Sequence, residues 1–133
     1  MKDKIKELLE TSKTIAVVGL SANPGRPSYR VARYMQEHGF KIIPVNPTIT
    51  EVLGEKAYPG LRDIPEKVDI VDIFRRSEDV PPVTEDAIAI KAKGIWMQEG
   101  VVNLAAAEMA DSAGLQVVMD SCIMVEHARL RLE

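Results

Sequence analysis

Apolar residues along this chain fall into five short, nearly continuous runs, separated by stretches whose apolar positions recur with a helical period. The run over 15–18 (IAVV) is typical, because no polar residue interrupts it. A strand that faces solvent on one side alternates apolar and polar residues, whereas a strand buried on both faces does not. The pattern therefore predicts five strands of a mainly parallel sheet, over 14–20, 40–45, 68–74, 94–98 and 115–120.

The segment between the first two predicted strands has the marks of a crossover helix over 28–38. Val31, Ala32 and Met35 share one face of that helix. Ser28 is expected to cap its N-terminus, and Gly39 follows as the residue that ends it in a left-handed conformation.

Two further helices are predicted on the C-terminal side of the third strand. Asp79 is expected to cap a helix whose first turn accepts prolines 81 and 82, with Gly94 closing it. Asn103 is expected to cap a helix over 104–113, which Gly114 ends. The connection over 48–67 contains two glycines and two prolines and predicts turns, and the tail after Cys122 predicts a short helix.

Strands that alternate with helices predict a doubly wound α/β fold, a mainly parallel five-stranded sheet with helices on both faces. The 133 residues provide one domain.

Composition excludes several classes of protein. The chain has 17 basic and 20 acidic residues, a formal net charge of −3 and a pI near 5.5, which argues against nucleic-acid binding through phosphate neutralisation. The apolar runs are too short to span a membrane, and the first ten residues do not form an export signal. A single cysteine, Cys122, forms no internal disulfide or zinc cluster, so we expect a cytoplasmic protein without a metal site.

In an open parallel sheet, ligands bind beyond the carboxyl ends of the strands, where the direction of winding reverses. The loop 19–28 follows the first strand and leads into a helix, so its amide groups suit a diphosphate, with charge added by Arg26. The G-x-G-x-x-G motif would require glycines where Ser21 and Pro24 stand. A plain strand-to-helix turn is the alternative interpretation.

The second and third strands end in residues that favour phosphate. Asn46 and Pro47 stand where an NAD-binding fold usually has a carboxylate for the ribose, so a phosphate on the ribose meets no fixed negative charge. Arg75 and Arg76 follow the third strand at the same end of the sheet, where guanidinium groups can bind phosphate oxygens. The alternatives are a turn starter at Asn46 and solvated arginines at 75 and 76.

The segments 15–29 (IAVVGLSANPGRPSY), 44–47 (PVNP), 74–77 (FRRS) and 96–100 (WMQEG) resemble, in this order, those of the small stand-alone CoA-binding proteins. The similarity extends to 53–56 (LGEK) and 118–123 (VMDSCI) and covers nearly the whole chain. It implies a Rossmann-like fold similar to the CoA-binding domain of succinyl-CoA synthetase α subunits and NDP-forming acyl-CoA synthetases.

The resemblance also implies that residues 1–133 form a single CoA-binding domain with coenzyme A as its ligand. Its implied diphosphate loop is 19–28, its adenosine border is 46–47, and its cleft wall is 74–76. The larger synthetases contain a phosphorylated histidine and a nucleotide-grasp module, which this chain lacks. The predicted ligand-binding residues are Gly19, Ser21, Ala22, Asn23, Arg26, Pro27, Ser28, Tyr29, Asn46, Pro47, Phe74, Arg75 and Arg76.

The leading hypothesis is a non-catalytic module that binds CoA or acyl-CoA as a carrier or regulator. One alternative is a small CoA-dependent acyltransferase or thioesterase with Cys122 as nucleophile, and another is a dinucleotide-binding redox sensor. No residue is assigned to catalysis, because His38 is expected at a helix end and His127 at the surface. A partner acyl-CoA enzyme and a homodimer stay open.

Overall fold

The computed structural model describes residues 3–131, so residues 1, 2, 132 and 133 of the predicted domain and N-terminal segment lie outside the described part. Its main sheet has five strands, β1 (Thr14–Val18), β2 (Lys41–Val45), β5 (Ile70–Ile73), β6 (Gly94–Met97) and β7 (Gln116–Val118). Their spatial order is β2-β1-β5-β6-β7, and every pair is parallel.

This order confirms the predicted doubly wound, Rossmann-like α/β fold. The chain moves outward from β1 to β2, returns past β1 to β5, and then winds in the other direction through β6 and β7. The winding therefore reverses between β1 and β5, which pair from Ile15 opposite Ile70 to Val18 opposite Ile73. Loops that leave two such strands diverge, which opens a cleft beyond their carboxyl ends.

Helices cover both faces of the sheet. One face carries α1 (Lys4–Glu10), α2 (Pro27–Glu37) and α5 (Ile123–Arg131), with α5 in contact with the other two. The opposite face carries α3 (Val80–Ala89) packed on α4 (Leu104–Ser112). Two apolar clusters, one on each side of the sheet, form the core. Trp96 is fully buried in the cluster beneath α1, α2 and α5. None of the helices within residues 3–131 is long and apolar enough to cross a membrane.

Several predicted helix ends are confirmed. Gly39 and Gly114 follow α2 and α4 with φ angles of +95° and +88°, the left-handed conformation expected after a helix. The Asn103 side chain accepts a hydrogen bond from the Ala106 amide at 2.8 Å and so caps α4. A helix, α5, follows Cys122.

Two predicted helix ends are wrong, and a third is correct in position alone. The N-cap of α2 is Arg26, and Ser28 lies inside the helix, because Pro27 occupies the first helical position. Asp79 is the N-cap residue of α3 as predicted, but its side chain makes no capping bond, since its carboxylate pairs with Arg76 instead. Gly94 does not close α3; the helix ends at Ala89, and Gly94 begins β6.

The turn-rich connection predicted over 48–67 contains two strands that the sequence pattern did not predict. These are β3 (Glu51–Val52) and β4 (Glu55–Lys56), an antiparallel hairpin. A 3-10 turn over Leu61–Asp63 follows. Each strand has only two residues, which is too short for a periodic signal.

Candidate functional site

The segments that follow strands β1 and β5 approach each other closely just beyond the ends of the strands. Gly19 follows β1 with φ of +91°, and its amide donates to the Val45 carbonyl at 2.9 Å. A Cβ atom built at Gly19 would overlap the Phe74 carbonyl oxygen and lie 3.4 Å from Nη1 of Arg75. Both the backbone conformation and this contact require glycine. Gly19 thus lets the first loop pass directly beside the loop that carries the arginines.

The loop 19–28 is held by hydrogen bonds within itself. The Ser21 amide donates to Oγ of Ser28, and the Asn23 amide donates to Oγ of Ser21, both at 3.0 Å. The Gly25 amide donates to Oδ1 of Asn23 at 2.9 Å, and the Arg26 amide donates to the Asn23 carbonyl at 3.0 Å. Four of the amides expected to face a diphosphate are therefore bonded inside the loop. Ser28, in the first turn of α2, stabilises the loop through its hydrogen bond with the Ser21 amide.

Asn46 connects the end of β2 to this loop. Its Nδ2 donates to the Leu20 carbonyl at 3.0 Å, while its Oδ1 accepts from the Thr48 amide at 2.9 Å and from the Thr48 hydroxyl at 2.7 Å. The side chain thus starts a turn and also positions the first loop. Pro47 is exposed next to it.

The two neighbouring arginines have different surroundings. Arg76 is exposed, pairs with Asp79 at 3.0 Å and lies 4.0 Å from Glu78. The hydrogen bond to Asp79 raises the pKa of Arg76 above its usual range. Arg75 is half-buried, and its side chain has no hydrogen bond or ion pair to any residue within 3–131. Arg75 is therefore the better placed of the two to bind an anion.

A cavity of about 520 Å³ lies at this end of the sheet. Of the predicted residues, Pro27, Phe74, Arg75 and Arg76 line it. Its wall is largely apolar between the charged groups, as is usual for a site that takes a small molecule. The remaining lining residues, which the predicted set did not include, are Val31, Gln98, Glu99, Val101 and Cys122.

The other predicted ligand-binding residues lie outside this cavity lining. Gly19, Ser21, Asn23, Ser28 and Asn46 build the adjoining loop through the contacts described above, and Ala22, Arg26 and Pro47 are exposed. Tyr29 faces a different groove on α2, together with Arg33 and Met124. The structure therefore gathers the residues after β5 and β6, with Cys122, around one space, and the first loop forms its border.

A buried polar pair stands behind the cavity. Nε2 of Gln98 donates to Oδ1 of Asp72 at 2.6 Å, and the two residues are 4% and 1% exposed. Burial raises the pKa of Asp72 to about 7, although the bond from Gln98 acts in the opposite direction. Asp72 interrupts an otherwise apolar strand, which is the one signal in the sequence that marks it.

The histidines lie away from this cavity. Nδ1 of His38 is 2.7 Å from the Tyr34 carbonyl, and Nδ1 of His127 is 3.0 Å from the Tyr34 hydroxyl. Both rings line a separate pocket of about 260 Å³ beside α1. Within residues 3–131, no group of three or more His, Cys, Asp or Glu side chains could hold a metal ion.

Residues 13–128 match the family described as the CoA binding domain. The chain belongs to this family. The match starts just before β1 and extends into α5, so it includes the whole sheet and every residue of the cavity.

Other members resemble this CoA-binding domain over nearly its full length. The chain is 50% identical over 127 residues to "Uncharacterized protein YneT" of Bacillus subtilis, a match that covers 96% of this chain and 94% of that protein. It superposes on a "hypothetical protein from Pyrococcus horikoshii OT3" with a TM-score of 0.93 and 43% identity, covering 96% of this chain and 89% of the other.

A larger enzyme contains a related segment. "Acetate--CoA ligase [ADP-forming] II" of Archaeoglobus fulgidus is 36% identical over 84 residues, which covers 62% of this chain. The matched segment is only 12% of the ligase. Sequences similar to this chain thus occur both as a protein of this size and as a small part of a ligase.

Proposed function

We propose that this chain binds coenzyme A or acyl-CoA at the cavity between the ends of β1 and β5, without catalysing a reaction of its own. The observation that carries the proposal is Arg75, a half-buried cation without a protein partner within residues 3–131, next to Gly19 at the reversal of winding. CoA carries a diphosphate and a ribose phosphate, and a guanidinium binds such groups with paired hydrogen bonds.

The shape of the site supports one placement of the ligand within this proposal. The phosphates lie along the loop 19–28 and Arg75, and the adenosine portion lies toward Asn46 and Pro47. The pantetheine arm enters the largely apolar cavity beside Phe74 and Val101. Membership of the CoA-binding domain family supports this ligand.

Binding is tested by calorimetry on protein stripped of ligand, with CoA, dephospho-CoA, acetyl-CoA and NAD at one salt concentration. We expect CoA to bind and dephospho-CoA to bind more weakly. Arg75→Ala is expected to weaken CoA binding by at least about tenfold, because it removes a charge-assisted hydrogen bond. Arg26→Ala tests the exposed arginine of the first loop in the same way.

Arg62→Ala is the matched control, since Arg62 is an exposed arginine that pairs with Asp86 at 2.7 Å and does not line the cavity. Its CoA affinity should equal that of the wild type. Unchanged affinity in both Arg75→Ala and Arg26→Ala would remove the phosphate assignment. Binding of NAD alone would favour the redox-sensor alternative, although Asn46 supplies no carboxylate for the ribose.

An enzyme is a second candidate because Cys122 lines the same cavity as Arg75. If Cys122 is a nucleophile, acetyl-CoA or succinyl-CoA is turned over, and Cys122→Ser abolishes that turnover. Incubation with CoA disulfide followed by mass spectrometry measures its reactivity separately. If the protein turns over neither acyl-CoA and CoA disulfide adds no mass to Cys122, the enzyme alternative is excluded and the non-catalytic binding function is retained.

The biological setting of the module is also part of the proposal. We place it in the cytoplasm, with an acyl-CoA enzyme as a partner, or as a homodimer. Size-exclusion chromatography with light scattering distinguishes monomer from dimer.

A further inference from the structure

The buried pair of Asp72 and Gln98 connects the interior of the sheet to the cavity. Asp72 lies opposite Val17 of β1 and Trp96 of β6, so apolar strands flank it on both sides. Gln98 follows β6, lines the cavity and donates through Nε2 to Asp72. A carboxyl group buried in a core is destabilising unless it is hydrogen-bonded, paired with a cation or protonated.

The charge of Asp72 determines which end of the Gln98 amide it can bind. A carboxylate only accepts hydrogen bonds, so it holds the amide nitrogen of Gln98 and leaves the amide oxygen for the cavity. A protonated carboxyl can donate to the amide oxygen, which favours the opposite orientation and leaves the NH₂ group for the cavity. Protonation of Asp72 thus replaces the amide oxygen of Gln98, an acceptor, by its NH₂ group, a donor, at the cavity wall.

The surroundings make this exchange accessible near neutral pH. Burial raises the pKa of Asp72 to about 7, and the hydrogen bond from Gln98 opposes this rise only in part. On the flanking strands, Val17 and Trp96 do not ionise, and α2 presents Val31 to the cavity. The ionisable groups that line the cavity from the loops after β5, β6 and β7 are Arg75, Arg76, Glu99 and Cys122.

We propose that Gln98 contacts the pantetheine arm and determines specificity for it, and that Asp72 is the positioning residue that sets which end of the Gln98 amide faces the ligand. This inference rests on the proposed function. The pantetheine arm carries two amide groups, each with an N–H donor and a carbonyl acceptor, and in this proposal an N–H group faces Gln98. With Asp72 ionised, the amide oxygen of Gln98 accepts from this N–H group. With Asp72 protonated, the NH₂ group of Gln98 faces the same N–H group, and the bond is lost.

The test compares wild type with Asp72→Asn by calorimetry at about pH 5.5 and about pH 8. Two ligands are used: CoA, and adenosine 3′,5′-bisphosphate, which lacks the arm. The ratio of wild-type to variant affinity for CoA should rise about fivefold from the lower to the higher pH, the effect of one hydrogen bond. The same ratio for the bisphosphate should not change, because phosphate ionisation is common to both proteins.

Two further variants guard this result. Gln98→Met keeps the side-chain length but has no amide group, so it should lose the same pH-dependent part of CoA binding. This variant tests the inference even where Asp72→Asn does not fold. Asp69→Asn is the matched control: Asp69 is a buried aspartate beside the start of β5, where it accepts from the Lys13 and Thr14 amides. It should retain the wild-type pH dependence.

The outcomes separate this inference from the proposed function. If CoA binds but the ratio of wild-type to Asp72→Asn affinity does not change with pH, the role of Asp72 and Gln98 is overturned, while the proposed CoA-binding function is retained. An equal change for the bisphosphate also overturns it, because the effect would then not involve the arm. Failure of both ligands to bind at either pH overturns the proposed function, and this inference with it.

Discussion

Replacing Asp72 by asparagine should make the protein more stable above neutral pH. Asp72 is fully buried, and burial raises its pKa from the ordinary 3.8 to about 7. Between these values the folded protein keeps a proton that the unfolded chain has released, so the stability of the wild type falls as pH rises. Asparagine has nearly the same shape and no charge, so the variant does not experience this loss.

The magnitude follows from the change in pKa. A rise from 3.8 to about 7 corresponds to about 4 kcal/mol, since each tenfold change in an acid dissociation constant is about 1.4 kcal/mol. From pH 5 to pH 7 the free energy of unfolding of Asp72→Asn should therefore rise by about 2 kcal/mol relative to that of the wild type. Above about pH 7 the difference should level off.

Urea unfolding of both proteins at intervals from pH 5 to pH 8 measures this difference, because the titrations of all other groups are common to both. Asn103→Ala serves as a control, since it removes no ionisable group and its effect should not vary with pH. Parallel pH profiles for wild type and Asp72→Asn would refute the reasoning. They would mean that Asp72 ionises in the folded protein as easily as in the unfolded chain.

Two other substitutions test the packing of the site and the helix ends. Gly19→Ala should destabilise the fold by at least about 2 kcal/mol in urea unfolding, because it combines a positive φ with overlap of the Phe74 carbonyl. Gly39→Ala, whose Cβ would meet no atom within 4 Å, should lower the free energy of unfolding by only about 1 kcal/mol. Equal losses of stability in the two variants would exclude overlap with the Phe74 carbonyl as a cause. Asn103→Ala should cost about 1 kcal/mol by removing the cap of α4, and an unchanged urea midpoint would contradict that role.

Local patterns in the sequence predicted the five strands and the helices between them. Strands buried on both faces need continuous apolar runs, and nearly continuous runs mark the strands of the observed sheet. Among the exceptions are Asp72 within β5 and the exposed Gln116 at the start of the edge strand β7. Gly39 and Gly114 predicted helix ends, because the residue after a helix often adopts a left-handed conformation, which favours glycine. The prediction that Ser28 caps α2 is wrong, and its hydroxyl instead accepts from the Ser21 amide, a bond that depends on how the loop folds back.

The candidate site was only partly predictable for the same reason. The loops after the first three strands could be named from the chain alone, since every parallel strand ends at the same edge of the sheet. The difference between Arg75 and Arg76 could not, because it depends on the position of Asp79 at the start of α3. Neither could the contact of Gly19 with Phe74, which joins two loops that are distant in sequence.

The sequence by itself therefore determined the layered α/β fold and the edge of the sheet where the candidate site lies, since both follow from periodicity and strand direction. Only the tertiary structure decided that Cys122 and Gln98 share a cavity with Arg75 and that Asp72 lies behind it. Burial and hydrogen-bond partners come from segments that are distant along the chain. The ionisation of Asp72 depends on those surroundings, and no pattern of neighbouring residues encodes them.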